Sequence, residues 1–292
     1  MNRPGHLIKH TSTGSGFVFF LLSTLVFIGP VQAQQDGYVL DTQTQIAISS
    51  PSYPVTAGDV YSLTYMAGGT PVIYSIIVDY SYQIRVSNMA VINAAGKTYR
   101  QLKQEVEAIV ARNYSFSGAQ LVLVKPGTFN VYITGEVTRA AERTTWALGR
   151  LSSLVSDTLS VYSSIRNITV TAANGQVKTY DLFKAQRFGD LSQDPYLRPG
   201  DIITVSHLDR KVTIHGEVEQ PGSYELLSGE NIQELIRTYA NGYTARADTG
   251  RVGLRRYEEG GLGLGNIIYL TQEEINANHP LQNFDVIYVL SK

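Results

Sequence analysis

Beyond residue 52, apolar and polar positions alternate with a period of two along most of the chain. DVYSLTY (59–65) alternates, VIYSIIV (72–78) is nearly continuous, and LVLVK (121–125) and FNVYITGEV (129–137) follow. Each pattern predicts a strand with one or both faces buried. One segment changes period. In TYRQLKQEVEAIVARN (98–113), Tyr99, Leu102, Val106, Ile109 and Val110 fall on one face at helical spacing. Thr98 and Gln101 have the spacing of a capping box, in which each side chain satisfies a free N–H of the first turn. An amphipathic helix laid on a sheet is expected here, after a polar lead over 34–52.

A second level of order is an internal repeat. ITGEV ends at Val137 and IHGEV at Val218, 81 residues apart; each follows an alternating strand and precedes a polar turn and a helical pattern. In the second copy that pattern is NIQELIRTYA, with Ile232, Leu235, Ile236 and Tyr239 on one face and Asn241-Gly242 as its stop. The first copy's helix is weaker: Leu148, Leu151, Leu154 and Val155, with Gly149 read as lying inside it. Both copies close alike, DPYLRPGDIITV (194–205) against NHPLQNFDVIYV (278–289), with Asp201 and Asp285 84 residues apart. TAGDVYSL echoes the same turn at Asp59. Gly followed by Asp ahead of a β-run is a tight turn, so these aspartates are expected to bond local backbone rather than to catalyse. About 80 residues of strand, hairpin, helix and returning strands describe a small α+β unit, most simply a sheet grasping one helix.

The first 33 residues stand apart. Arg3 and Lys9 make a basic start, Phe17 to Ile28 an apolar core of 12 residues, and Val31-Gln32-Ala33 a cleavage signal. A membrane span needs ~20 apolar residues, so export with cleavage between Ala33 and Gln34 is expected. The remainder carries 22 basic and 25 acidic residues, a net of −3, which argues against a nucleic-acid partner. With 43% hydrophobic residues the chain can bury cores, and with no cysteine it has no disulfide, thiolate nucleophile or thiolate zinc site.

Candidate chemistry is sparse. His207 and His215 flank the turn HLDRK with no third ligand at a metal spacing, so no metal is expected. The glycine run 260–265 leads into a strand, NIIYL, which fits a hairpin loop and not a nucleotide cradle. There is no Gly-x-Ser-x-Gly elbow, and the carboxylate pairs 258–259 and 273–274 point apart on any regular element. No catalytic residue or cofactor is therefore expected. Arg251, Arg255 and Arg256 are the candidate ligand contacts, for an acidic glycan or a neighbouring subunit, with Arg251 and Arg255 on one strand face opposite Val252 and Leu254. Tyrosines 53, 61, 65, 74, 80 and 82 offer faces for sugars, although strand packing accounts for most of them.

The two copies of a strand ending in Gly-Glu-Val, then Pro-Gly-x-Tyr, a helix, Asn-Gly and a closing Asp-x-Ile-x-Val, resemble SLBB domains, which are β-grasp modules. The preceding AGDVYSLTY and GKTYRQLKQEV resemble the N-terminal domain of bacterial polysaccharide export proteins. In this order the chain is similar to the outer-membrane polysaccharide export family: signal peptide 1–33, α/β export domain 34–127, first SLBB-like domain 128–208 and second 209–292. Arg139-Ala140-Ala141 replaces Pro-Gly in the first copy, marking it as degenerate. The family's lipoprotein cysteine is missing, and the sequence stops after its closing strand where long members continue into a membrane-crossing helix. The resemblance implies a non-enzymatic part of a capsule or exopolysaccharide export machine. The protein would be periplasmic, peripheral to the outer membrane, and assembled into a homo-oligomeric ring. Its partners would be the polysaccharide, an inner-membrane copolymerase and a separate outer-membrane protein. The alternative is a monomeric periplasmic module that holds a glycan or other ligand without moving it.

Overall fold

A computed structural model describes residues 41–257 and 263–292. The expected leader and its Ala33–Gln34 cleavage point lie outside the described residues, as do residues 258–262, which include part of the glycine run expected to form a hairpin loop. The fold is α+β.

The N-terminal part holds helix α1 (Thr42–Ser49), strands β1 (Val60–Ala67) and β2 (Thr70–Ile77), the hairpin β3 (Gln83–Val86) and β4 (Ala90–Asn93), helix α2 (Tyr99–Asn113) and strand β5 (Gln120–Lys125). Its main sheet runs β2-β1-β5, antiparallel throughout. Thr98 caps α2 in a complete capping box with Gln101, and Tyr99, Leu102, Val106 and Val110 are buried on one side, as the periodicity requires. They pack with Tyr53, Leu63, Leu121 and Leu123, each aliphatic side chain contributing about 1.5–3 kcal/mol by leaving water.

Helix α1 was not legible in the polar lead. Only Thr44 and Ala47 are buried, so there is no apolar stripe to read. The helix forms because Asp41 caps it, accepting from Thr44 N–H at 2.7 Å, and because Thr44 Oγ1 donates to Val124 O at 3.2 Å.

Two sheets of five strands follow. The first module has β6 (Thr128–Gly135), β7 (Ala141–Trp146), α3 (Leu151–Val155), β8 (Ser163–Thr171), β9 (Val177–Tyr180), α4 (Leu182–Phe188) and β10 (Ile202–His207), in the order β7-β6-β10-β8-β9. The second has β11 (Lys211–Gly216), β12 (Gly222–Glu225), α5 (Ile232–Glu234), β13 (Ala247–Tyr257), β14 (Leu264–Leu270), α6 (Gln272–Asn276) and β15 (Val286–Ser291), in the order β12-β11-β15-β13-β14. The topologies are identical, with a parallel pair at the centre (β6·β10, β11·β15) and antiparallel neighbours outside it. The first copy, degenerate in sequence, is therefore complete in strand order.

The repeated triplet explains itself sterically. Gly135 and Gly216 have φ of +92° and +91°, and a Cβ on either would lie 2.2 Å from Val205 O or 2.0 Å from Val289 O, the carbonyls of the parallel partner strands. Only glycine lets the chain leave the sheet there. The next N–H, of Glu136 or Glu217, bonds those same carbonyls at 2.8 and 2.9 Å. The Asp turns recur equally: Asp59, Asp201 and Asp285 are buried, and each accepts the N–H three residues before it, from Thr56, Arg198 and Gln282.

The helical reading of 231–240 holds with a change of pitch. α5 passes into a wider turn over Leu235–Tyr239, where Ala240 N–H bonds Leu235 O five residues back. Asn241 and Gly242, at φ +60° and +89°, end it. Gly149 requires a correction: it sits before α3, not within it, and a Cβ there would meet Thr145 Oγ1 at 2.0 Å. Helices α4 and α6 were not anticipated. Each is a short turn started by a capping side chain, Asp181 or Thr271. No helix among the described residues is long and apolar enough to cross a membrane.

Candidate functional site: the outer face of the C-terminal sheet

In the second module, Val252 and Leu254 of β13 point into the core with Ile214, Ile287 and Val289, so positions 251, 253 and 255 face outward. The register builds one row across four strands on that outer face: His215 beside Tyr288, Tyr288 beside Gly253, and Gly253 beside Tyr269. The His215 and Tyr288 rings stack, with centroids 5.8 Å apart at 30°. Gly253 has no side chain to stand between its neighbours. A Cβ there would lie 3.0 Å from Ile267 Cγ2 and 3.6 Å from Tyr269 Cε1, so these side chains lean over the glycine. The Arg251 guanidinium lies 4.6 Å from the centre of the Tyr269 ring, in cation–π geometry. Tyr269 remains 46% exposed and Ile267 41%; His215 and Arg251 are exposed, and Tyr288 is half-buried. The result is an aromatic strip with the Arg251 guanidinium at its edge.

The three candidate arginines separate. Arg251 belongs to this strip. Arg255, in the next row between Val286 and Ile267, donates from Nε to Gly265 O at 2.8 Å. Arg256 turns to the opposite face, where Nε and Nη2 grip the two oxygens of buried Asp285 at 2.9 and 2.7 Å and Nη2 also reaches Pro280 O at 3.1 Å. That bidentate bond raises the Arg256 pKa and anchors the closing turn.

His207 and His215 end up in different sheets: His207 stacks on Tyr162 and lies 3.2 Å from Glu136 Oε2. Of the early tyrosines, Tyr53 and Tyr61 are wholly buried and donate to Asp59 Oδ1 and Oδ2 at 2.7 and 2.8 Å. Burial pushes the Asp59 carboxyl up, against four donors that include Gly127 N–H at 2.6 Å. These groups join the N-terminal part to the start of β6.

Two features escaped the sequence reading. Arg166 of β8 is 2% exposed and crosses from the first module to the second. Its guanidinium bonds Asp181 Oδ2 at 2.9 and 3.1 Å, Glu230 Oε2 at 2.7 Å, Glu225 O at 3.1 Å and the Tyr239 hydroxyl. Burial works to raise Glu230, but hydrogen bonds from Arg166, Tyr239 and Leu227 N–H hold it below the usual carboxylate range. Burial pushes Glu225 up; its partners are Ser164 Oγ and Ile165 N–H. An arginine within an alternating strand reads as surface until its partners, 15 to 73 residues away, are folded against it. The second feature is a cleft of about 580 Å³ between α1 and the first module, lined by Gln43, Ile46, Trp146, Arg150 and Tyr196. There the Arg150 guanidinium lies over the Tyr196 ring at 4.4 Å and bonds Asp194 O at 2.6 Å.

A family model of the SLBB domain matches residues 211–263, which run from β11 through β13. The match extends to neither the first module nor the N-terminal part. This domain is found in polysaccharide export proteins.

Proposed function

We propose that this chain is an exported, non-enzymatic component of a polysaccharide secretion apparatus. It works in the periplasm, held peripherally at the outer membrane, where copies assemble side by side into a ring that serves as a polar conduit. The observation that carries this reading is the SLBB match on a module whose topology is repeated immediately upstream. Tandem modules locked by Arg166 give each subunit a stiff wall section. Head-to-tail contacts between such subunits close into a ring when their rotation allows it. The edge strand β2 supports association, since it exposes Ile73 (78%) and Ile77 (62%). An inner-membrane copolymerase would feed the conduit, and a separate outer-membrane protein would continue it.

The test joins size to phenotype. Protein from the periplasmic fraction should run as a closed oligomer by light scattering after gel filtration, begin at Gln34 by intact mass, and leave the membrane in a carbonate wash. Deleting the gene should stop polysaccharide appearing outside the cell. A glycan-binding monomer whose loss leaves secretion intact would replace the conduit with the simpler binding module.

A further inference from the structure

We infer that the strip His215–Tyr288–Gly253–Tyr269, with Arg251 at its edge, binds a uronic-acid-containing polysaccharide strand laid flat across the sheet. This deepens the proposed function and rests on it for the ligand being a polysaccharide at all.

The argument begins with the sister sheet. The register of the first module places Thr134, Thr204, Thr169 and Thr179 at the same four positions, neighbour to neighbour across β6, β10, β8 and β9. Threonine is what an outward-facing sheet position ordinarily holds, because its branched carbon fits the pleat and its hydroxyl faces water. The second module stands on an identical topology and could carry the same row. Instead it has three rings and a glycine. No packing on the inner face requires this, since Ile214, Leu254, Ile287 and Val289 fill that side.

Rings lying along a sheet offer what a pyranose needs: flat faces for its axial C–H groups, with hydroxyl and imidazole edges within hydrogen-bonding reach of its equatorial hydroxyls. The glycine lets Tyr269 lean over the sheet. Charge selects the kind of sugar. Several acids of this module are already engaged: Asp285 with Arg256, Glu230 with Arg166, Glu225 with Ser164, and Glu217 with Thr244 and Arg246. Arg251 stands exposed at the edge of the strip, and a guanidinium matches a sugar carboxylate in the bidentate way it matches a side-chain carboxylate.

The experiment measures binding of the purified protein to polygalacturonate, to dextran of matched length, and to polyglutamate as an anion without sugar rings. The variants are Tyr269→Thr, His215→Thr and Tyr288→Thr, which copy the row of the first module, together with Arg251→Gln. Thr204→Ser in the first module is the control, and a thermal melt of each protein confirms the fold. Polygalacturonate should bind at least tenfold more tightly than either dextran or polyglutamate. Tyr269→Thr and Arg251→Gln should each weaken it tenfold or more, and Thr204→Ser should not. If a threonine variant unfolds, Arg251→Gln at an exposed position still decides. The inference is overturned if the wild-type protein does not bind polygalacturonate, if dextran or polyglutamate binds equally well, or if row variants change the oligomer's size while leaving binding intact, which would make the strip a subunit contact. Secretion is scored separately in the deletion strain. Polygalacturonate binding by the wild-type protein with normal secretion in the deletion strain would sink the proposed function and leave the platform standing; absent binding with a secretion defect in the deletion strain would do the reverse.

Discussion

The two C-terminal modules agree at the glycines and aspartates that shape the sheet and its closing turn, and differ along the outer row of the sheet. Gly135 and Gly216 meet the same carbonyl of the same strand, Glu136 and Glu217 make the same next hydrogen bond, and Asp201 and Asp285 close the same turn. Yet the outer row is four threonines in one module and His-Tyr-Gly-Tyr in the other. The turns differ in electrostatics as well. Asp285 is held by the Arg256 fork, whereas burial pushes the Asp201 carboxyl up with the Arg198 N–H and the Arg198 charge opposing it. The lesson is that topology constrains only the positions whose atoms collide or pair within the sheet. The exposed face is free to change, and there a duplicated fold can acquire a separate task.

The largest break in this comparison should come from Arg166, the point where the modules stop being independent. Arg166→Ala leaves Asp181 and Glu230 without their cation in a buried setting and should cost about 3–5 kcal/mol in urea denaturation. A loss below 1 kcal/mol, by the surface-pair standard, would mean that the modules do not depend on this contact.

The equivalence itself is sharpened by Gly135→Ala and Gly216→Ala. Each puts a Cβ within 2.2 Å of a carbonyl oxygen at positive φ, so each should cost roughly 1–3 kcal/mol from backbone strain, with the clash adding to it. The two losses should match; a clear inequality would show that the triplets only look alike. Gly149→Ala comes next. Read as a helix-interior glycine it would be neutral or stabilising, but the 2.0 Å approach to Thr145 Oγ1 makes it an overpacking change of about 1–3 kcal/mol, visible as a lowered Tm.

The smallest effect is the acid response of the joint. Glu230 is held below its ordinary value of 4.5, so its contribution is full above that value and is lost as pH falls through the lowered one. Glu225 is raised by burial, so its contribution is present below 4.5 and lost as pH rises through the raised value. Glu230→Gln should therefore shrink the acid-induced loss of stability, and Glu225→Gln should enlarge it. Melts recorded across the acid range would show both signs, and equal behaviour of the two variants would contradict the assignment.

Sequence alone determined the features governed by neighbours in the chain. The strands at 59–65, 121–125 and 129–137, the capped helix at 98–113, the Gly-Asp turns, and the 81- and 84-residue spacings of the repeat are all set by short-range sterics and by the period of burial. Parity along β13 likewise placed Arg251 and Arg255 opposite Val252 and Leu254. Tertiary structure decided everything that depends on which strands lie side by side. It gave Arg256 to Asp285, buried Arg166 among partners 15 to 73 residues away, set Gly149 against Thr145, and aligned His215, Tyr288 and Tyr269 from three separate strands into one strip. The physical reason is that a sheet orders residues by hydrogen-bond register, a property of paired strands. No spacing within a single strand carries that information, so a surface assembled across four of them becomes visible only once the chain has folded.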